Sequence, residues 1–288
     1  MLYRYIVISL FRFMLIDYHL HNHFSPDSES DTVKLLEKER ELGIKDICIT
    51  NHSEWFGHKE GEPGIFNYND AVKRFKTIQE ELDELRSQFT DMNISFGAEL
   101  QYQESQLDDL KRFIESLPFD FIIGSVHIID NIVVSGGVHA HELFERMDEK
   151  TAYTRYFEKI LEYVEWGHFD VVGHFDVIKK YGVNYYGLFN PQKFKPTILK
   201  ILQTMKEKGI GIELNTACLH QKCNELFPHP DILKWCVEVG IENYTLGSDA
   251  HELEEAGRHL NEALAIAKEA GIKTLSTYEK RKPTKHKI

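Results

Sequence analysis

The sequence predicts an α/β fold, one domain in which seven strand-then-helix units carry a parallel sheet that closes into a barrel. Three observations carry this reading. Short apolar runs rich in β-branched residues alternate with longer segments of helical period along the chain. No Pro- or Gly-rich linker separates the units, and 288 residues at 42% hydrophobic are enough for one large core. Side chains able to bind metal recur at the same end of the strands.

The units follow in order. LIDYHL reads as the first strand, with a helix near 31–42. IKDICIT precedes a helix near 68–88, and NISFGAEL one near 104–116. DFIIGSVHII leads through a loop to a helix near 149–166. FDVVGHFD precedes a helix near 191–208, GIGIELNT one near 229–239, and NYTLGSDAH one near 253–270. Parallel neighbours need crossover connections, which the helices supply, and closure removes exposed edges. The charge run EKEREL, 37–42, reads as the solvated face of the first helix. The N-terminus, MLYRYIVISLFRFML, has an apolar stretch after Arg4, but it is too short to span a bilayer, contains Arg12 and lacks a small-residue cleavage site. Met14 can serve as a start, so residues 1–13 are expected to be an extension outside a domain running from 14 to 288.

A net charge of -12 argues against gripping nucleic acid through its phosphates, which needs a basic surface. An anionic small molecule remains possible if cations are held locally. Nothing in the composition suggests a membrane partner, and the oligomeric state is not readable. Cys48, Cys218, Cys223 and Cys236 form no CxxC pair, so ordinary thiols in a reducing cytoplasm are expected.

In six of the seven units a metal-capable side chain lies at or just past the strand's C-terminal end: His19 and His21, His52, Glu99, His127, His174, then Asp249 and His251. Strand ends and βα loops converge on that face of a parallel barrel, whereas scattered surface histidines would have no reason to choose one end. In His19-Leu20-His21 the imidazoles are two residues apart on a strand, so both point to one face and can chelate one ion. Asp249-Ala250-His251 repeats the arrangement. Imidazole and carboxylate without thiolate suit Zn, Mn or Fe(II) at a hydrolytic centre. Eight strand-end groups and Asp27 are too many for one ion, and two or three divalent metals sharing a bridging carboxylate would use them.

The set DYHLHNHFSPD, ITNH, GAELQY, GSVH, VGHFD and LGSDAH resembles the polymerase and histidinol phosphatase (PHP) superfamily, and within it the histidinol-phosphate phosphatases. The resemblance runs from about Ile16 to the C-terminus, with several independent motifs in order. It implies a distorted (β/α)7 barrel with a trinuclear site. By similarity one metal would take His19, His21, Glu99 and Asp249, and Glu99 would bridge to a second held by His127 and His174. Asp27, His52 and His251 would hold the third, Asp27 standing where some relatives carry histidine. The implied activity is hydrolysis of histidinol phosphate in histidine biosynthesis.

A phosphate monoester is a dianion in a slow reaction, so such a site must neutralise its oxygens and generate a nucleophile at neutral pH. Water shared by two close metals would ionise near neutrality and attack phosphorus in line, with no covalent enzyme intermediate. The sequence singles out no general acid. Arg155, early in a helix after the fourth strand, and Arg258, shortly after the last ligand motif, are candidate phosphate contacts; Arg155 reads equally as a helix-surface charge, and Arg258 reads first as one. Glu213 and Asn215 end the strand that carries no ligand, and could touch the substrate or hold ligands in place. His23 is left outside the ligand set, and His139 and His141 read as solvated loop residues. His58, His168, His220, His229, His259 and His286 have no spacing argument. Against the phosphatase stand another phosphoesterase acting on nucleotides, and a structural metal protein; the latter would have a closed donor set.

Overall fold

A computed structural model describes residues 15–54, 66–136 and 139–288. The extension expected at residues 1–13, and His58, lie outside the described residues. Seven parallel strands form the sheet: β1 (Ile16–Leu20), β2 (Asp46–Ile49), β3 (Asn93–Gln101), β4 (Phe121–Ser125), β7 (Val171–Val172), β8 (Gly211–Asn215) and β9 (Tyr244–Gly247), hydrogen-bonded in that order. Register pairs include Ile16 with Asp46, Cys48 with Ser95, Glu99 with Ile123, Val171 with Gly211 and Asn215 with Gly247. Past the last strand the Asp249 N–H donates to the His19 carbonyl at 2.9 Å and the His21 N–H to that of Ala250 at 3.0 Å. These bonds bring β9 against β1 and nearly close the barrel.

The crossover helices are α1 (Thr32–Glu41), α2 (Tyr68–Gln88), α3 (Leu107–Ser116), α5 (Glu149–Trp166), α7 (Lys195–Lys208), α8 (Pro230–Val239) and α9 (Leu260–Ala270). Side-chain oxygens of Asp31, Asn67 and Asp148 accept the free N–H groups that open α1, α2 and α5. Apolar faces of the helices then pack on the strands. Phe75 of α2 and Phe113 of α3 meet edge-to-face at 5.1 Å above Phe96 of β3. Tyr153 and Phe157 of α5 stack among Phe189 and Phe194 before α7. Each such ring stabilises the fold by roughly 1.5–3 kcal/mol relative to exposure.

Six elements go beyond the sequence reading. A hairpin of β5 (Ile128–Ile129) and β6 (Ile132–Val133) follows His127, and α4 (Ala140–Arg146) and α6 (Lys179–Tyr186) fill the connections after it. The chain ends in an antiparallel hairpin, β10 (Thr274–Glu279) and β11 (Lys282–Lys287). This hairpin is anchored where the strands begin: the Tyr278 N–H donates to the Tyr18 hydroxyl at 3.1 Å, the Arg281 guanidinium grips Asp170 at 3.0 Å, and the Arg281 N–H bonds the Asp120 carbonyl at 2.9 Å. It covers the end of the barrel opposite the histidines.

Two expectations are corrected. In the run EKEREL, Glu37, Arg40 and Glu41 are exposed, but Glu39 is fully buried against Asp17, because that side of α1 faces β1. Cys218 and Cys223 were expected as free thiols and are paired as a disulfide in the loop after β8; Cys48 and Cys236 are free and buried.

Candidate metal centre

Strand geometry places the first donors. His19 is the fourth residue of β1 and His21 lies two residues on, so both rings face into the barrel while Leu20 packs the other way, fully buried. Beside them Asp249 has a left-handed backbone, φ 57°, a conformation that aspartate tolerates better than most side chains. Four atoms converge. His19 Nε2 lies 3.4 Å from Glu99 Oε2 and 3.3 Å from Asp249 Oδ1, and His21 Nε2 lies 3.6 and 3.5 Å from the same two oxygens. A tetrahedron of donors about 2.1 Å from a central cation has edges of about 3.4 Å. These four separations match such edges, and His19, His21 and Asp249 alone already form a group able to hold a metal ion.

The second Glu99 oxygen belongs to another group. Oε1 is 2.8 Å from His174 Nε2 and 3.1 Å from His127 Nε2, and those two nitrogens are 3.1 Å apart. A third group forms at the rim, where Asp27 Oδ2 lies 3.3 Å from His52 Nε2 and 3.2 Å from His251 Nε2. His52 also turns Nδ1 to Glu99 Oε2 at 2.9 Å. Thus the nine candidates fall into adjoining groups, two of which meet at Glu99 and the third of which joins them through His21 and His52. Exposure is graded across them: His19, His21 and Glu99 are at 0%, while the Asp27 and His251 side chains are 39% and 27% exposed.

Buried polar atoms ordinarily have hydrogen-bond partners. Among the described residues, His19 Nε2 and His21 Nε2 are buried without one. These are two of the four atoms of the first group, so its imidazoles keep lone pairs that a divalent cation would use.

The same crowding shifts the titrations. Burial pushes Glu99 up, but His52, His127 and His19 outweigh it and hold the carboxyl well below its usual range. Asp249 is held down likewise against burial by His19, His21 and His251. Burial lowers imidazoles, yet Asp249, Glu213 and Glu99 raise His19 well above the ordinary value, and Glu99 and Glu54 carry His127 up to about 9. His21 goes the other way, to about 3, through burial and the neighbouring His251. Cations and protons therefore compete for the same nitrogens.

Glu213 and Asn215, read as residues that touch the substrate or hold ligands in place, are buried and turned onto the donors. Glu213 Oε1 is 2.6 Å from His19 Nδ1, and Asn215 Nδ2 donates to Asp249 Oδ2 at 3.1 Å. Arg155 pairs with Asp130 on the β5–β6 hairpin, and Arg258 with Glu255 at 3.5 Å, Glu255 also accepting the His251 N–H at 3.2 Å. His23 faces Glu81 at 3.6 Å and His139 faces Glu142 at 2.6 Å, neither within the donor groups.

Two contributors were missed in the sequence. Glu54 is fully buried with Oε1 3.6 Å from His52 Nδ1 and 3.8 Å from His127 Nδ1. Arg74 of α2 donates to the carbonyls of His52, Ser53 and Glu54 at 2.9, 2.8 and 3.3 Å, and to that of Phe24 at 3.4 Å. It ties the loop of His52 to the loop of Asp27. Only the position of Glu54, two residues after a ligand, offered a signal; Arg74 lies in a charged helix with none.

Comparison with known proteins gives a consistent picture. The PHP domain profile matches residues 17–217. The histidinol-phosphatase of Lactococcus lactis subsp. lactis is 28% identical over 274 residues, covering 94% of this chain and 97% of that protein. A probable histidinol-phosphatase of Clostridium acetobutylicum is 27% identical over 275 residues, covering 93% and 98%. The crystal structure of the L. lactis histidinol phosphate phosphatase, complexed with Zn, L-histidinol and phosphate, superposes with a TM-score of 0.82 at 26% identity, over 94% of this chain and 99% of that one.

Proposed function

This chain belongs to the PHP domain family, and on that premise we propose that it hydrolyses L-histidinol phosphate to L-histidinol and inorganic phosphate, as a cytoplasmic enzyme of histidine biosynthesis. The observation that carries the reading is the Glu99 carboxylate, whose two oxygens face two separate imidazole groups inside a barrel similar over nearly its whole length to a histidinol phosphate phosphatase.

His19, His21, Glu99 and Asp249 would hold one divalent cation, Glu99, His127 and His174 a second, and Asp27, His52 and His251 a third; Zn, Mn and Fe(II) all suit these donors. Bound there, they would supply Lewis acidity, drawing charge from phosphoryl oxygens and lowering the pKa of water toward neutrality. The protein's own part is positional. Glu99 sets the separation of two donor groups, and complete burial of His19, His21 and Glu99 keeps bulk water from the inner side. The graded exposure leaves the Asp27 and His251 side open, so the phosphate would arrive there. Arg258 lies one carboxylate away from His251 on that side, and Arg155 lies beside the hairpin that follows His127. Each would leave its carboxylate partner to offset phosphate charge.

The test is phosphate release from L-histidinol phosphate, compared with nucleoside monophosphates at equal concentration. Preference for histidinol phosphate by a hundredfold or more in kcat/KM is expected on the order of what a few lost polar contacts cost. Equal or better turnover of nucleotides would replace this substrate while keeping the phosphoesterase chemistry.

A further inference from the structure

We infer that Glu213 is a positioning residue serving two donor groups at once, and that it fixes how the His19 and His174 groups stand relative to each other. Glu213 lies on β8, between the strands that carry His174 and Asp249, and is 1% exposed. Its two oxygens have different tasks. Oε1 accepts from His19 Nδ1 at 2.6 Å, which leaves the Nε2 lone pair aimed at Glu99 and Asp249. Oε2 accepts the backbone N–H of His174 at 2.7 Å and the Asn215 amide at 3.2 Å, and the same Asn215 amide donates to Asp249. One carboxylate thus reaches the ring of one donor, the backbone of a second and, through Asn215, the side chain of a third.

The surrounding chain is cut to admit it. A Cβ on Gly247 would land on Glu213 Oε1 and 2.5 Å from the His19 Cβ. Only a residue without a side chain at 247 leaves room for this carboxylate against His19. Glutamine is not an equivalent. It has one oxygen for two donors, so its NH2 must oppose either His19 Nδ1–H or the His174 N–H.

This inference rests on the reading that the site holds cations, and not on the identity of the substrate. Zinc alone is titrated into the metal-free wild type and into Glu213→Gln against a competing chelator. Wild-type binding establishes the cation reading; its absence overturns that reading and this inference together. Given wild-type binding, the expected result for Glu213→Gln is that the inner zincs weaken by about 10- to 100-fold while the rim zinc at Asp27, His52 and His251 keeps its affinity. Unchanged affinity at every site, or an equal loss at all of them, overturns the role of Glu213. A second measurement needs no substitution and so decides even where Glu213→Gln fails to fold. In zinc-loaded wild type with 15N-labelled histidine, long-range 1H–15N spectra are expected to show His19 protonated at Nδ1, and an unprotonated Nδ1 would contradict it.

Discussion

Glu99 Oε1 lies 2.8 Å from His174 Nε2, while the other oxygen of the same carboxylate lies 3.4 Å from His19 Nε2. β3 delivers Glu99 to the middle of the barrel, so strands on either side, β1 and β7, present imidazoles to it from opposite directions. An anion shared in this way can hold two cations close together.

Replacing Glu99 by glutamine keeps the shape and puts a donor where one of these groups needs an acceptor. Activity is expected to fall on the order of a thousandfold, as when a charge-stabilising group is lost from an active site. Zinc content should drop, and far-UV circular dichroism should remain that of the wild type. Retained activity in the Glu99→Gln variant would rule out the bridge.

Acid should strip the metals. In the metal-free protein His127 is carried up to about 9, and His19 and His52 are raised well above the ordinary histidine value. Protons occupy these nitrogens at lower pH, so zinc affinity is expected to rise as pH increases from about 6 to 9, with protons released on binding at pH 7. Calorimetry in buffers of different ionisation enthalpy measures that release, and a pH-independent affinity would contradict the assignment.

The Arg74 guanidinium holds the carbonyls of Phe24, His52, Ser53 and Glu54. Arg74→Met keeps the aliphatic stem and removes that tie. The expected outcome is one zinc fewer per chain by elemental analysis, because the loops of Asp27 and His52 lose their mutual register, with activity reduced about 10- to 100-fold. Full zinc content in this variant would show that the loops hold themselves.

Glu39 and Asp17 are two fully buried carboxyl groups facing each other between α1 and β1. Burial, with Asp17 beside it, pushes Glu39 up to about 10. The folded protein therefore keeps a proton that the unfolded chain loses above about pH 4.5, so this site favours folding less and less as pH rises, by up to about 1.4 kcal/mol per pH unit. Glu39→Gln removes that dependence. Urea unfolding at pH 5 and pH 8 should find the variant gaining on wild type at the higher pH, and a difference independent of pH would argue that Glu39 is ionised in the fold.

The barrel and the clustering of nine metal-capable side chains were legible because both rest on short-range pattern. Strand-then-helix periodicity survives in each unit, and a histidine or carboxylate closing an apolar run is chemically conspicuous. What the sequence hid depends on which groups meet in space. The terminal hairpin has one buried Leu275 and one buried Tyr278 amid lysines, and its apolar alternation is too sparse to see; Tyr18, Asp120 and Asp170 decide where it docks. Glu39 looks like its neighbours in EKEREL and differs only in facing Asp17. Glu213 was visible as a strand-end carboxylate, but whether it turned to a substrate or to His19 was a question of β8 lying between β7 and β9.

The most direct measurement is anomalous diffraction at the zinc edge from crystals of the zinc-loaded protein. Peaks within bonding distance of both Glu99 oxygens, one flanked by His19, His21 and Asp249 and the other by His127 and His174, are the result expected. An occupied, well-ordered crystal with no anomalous peak near Glu99 would contradict the metal centre and the hydrolysis built on it.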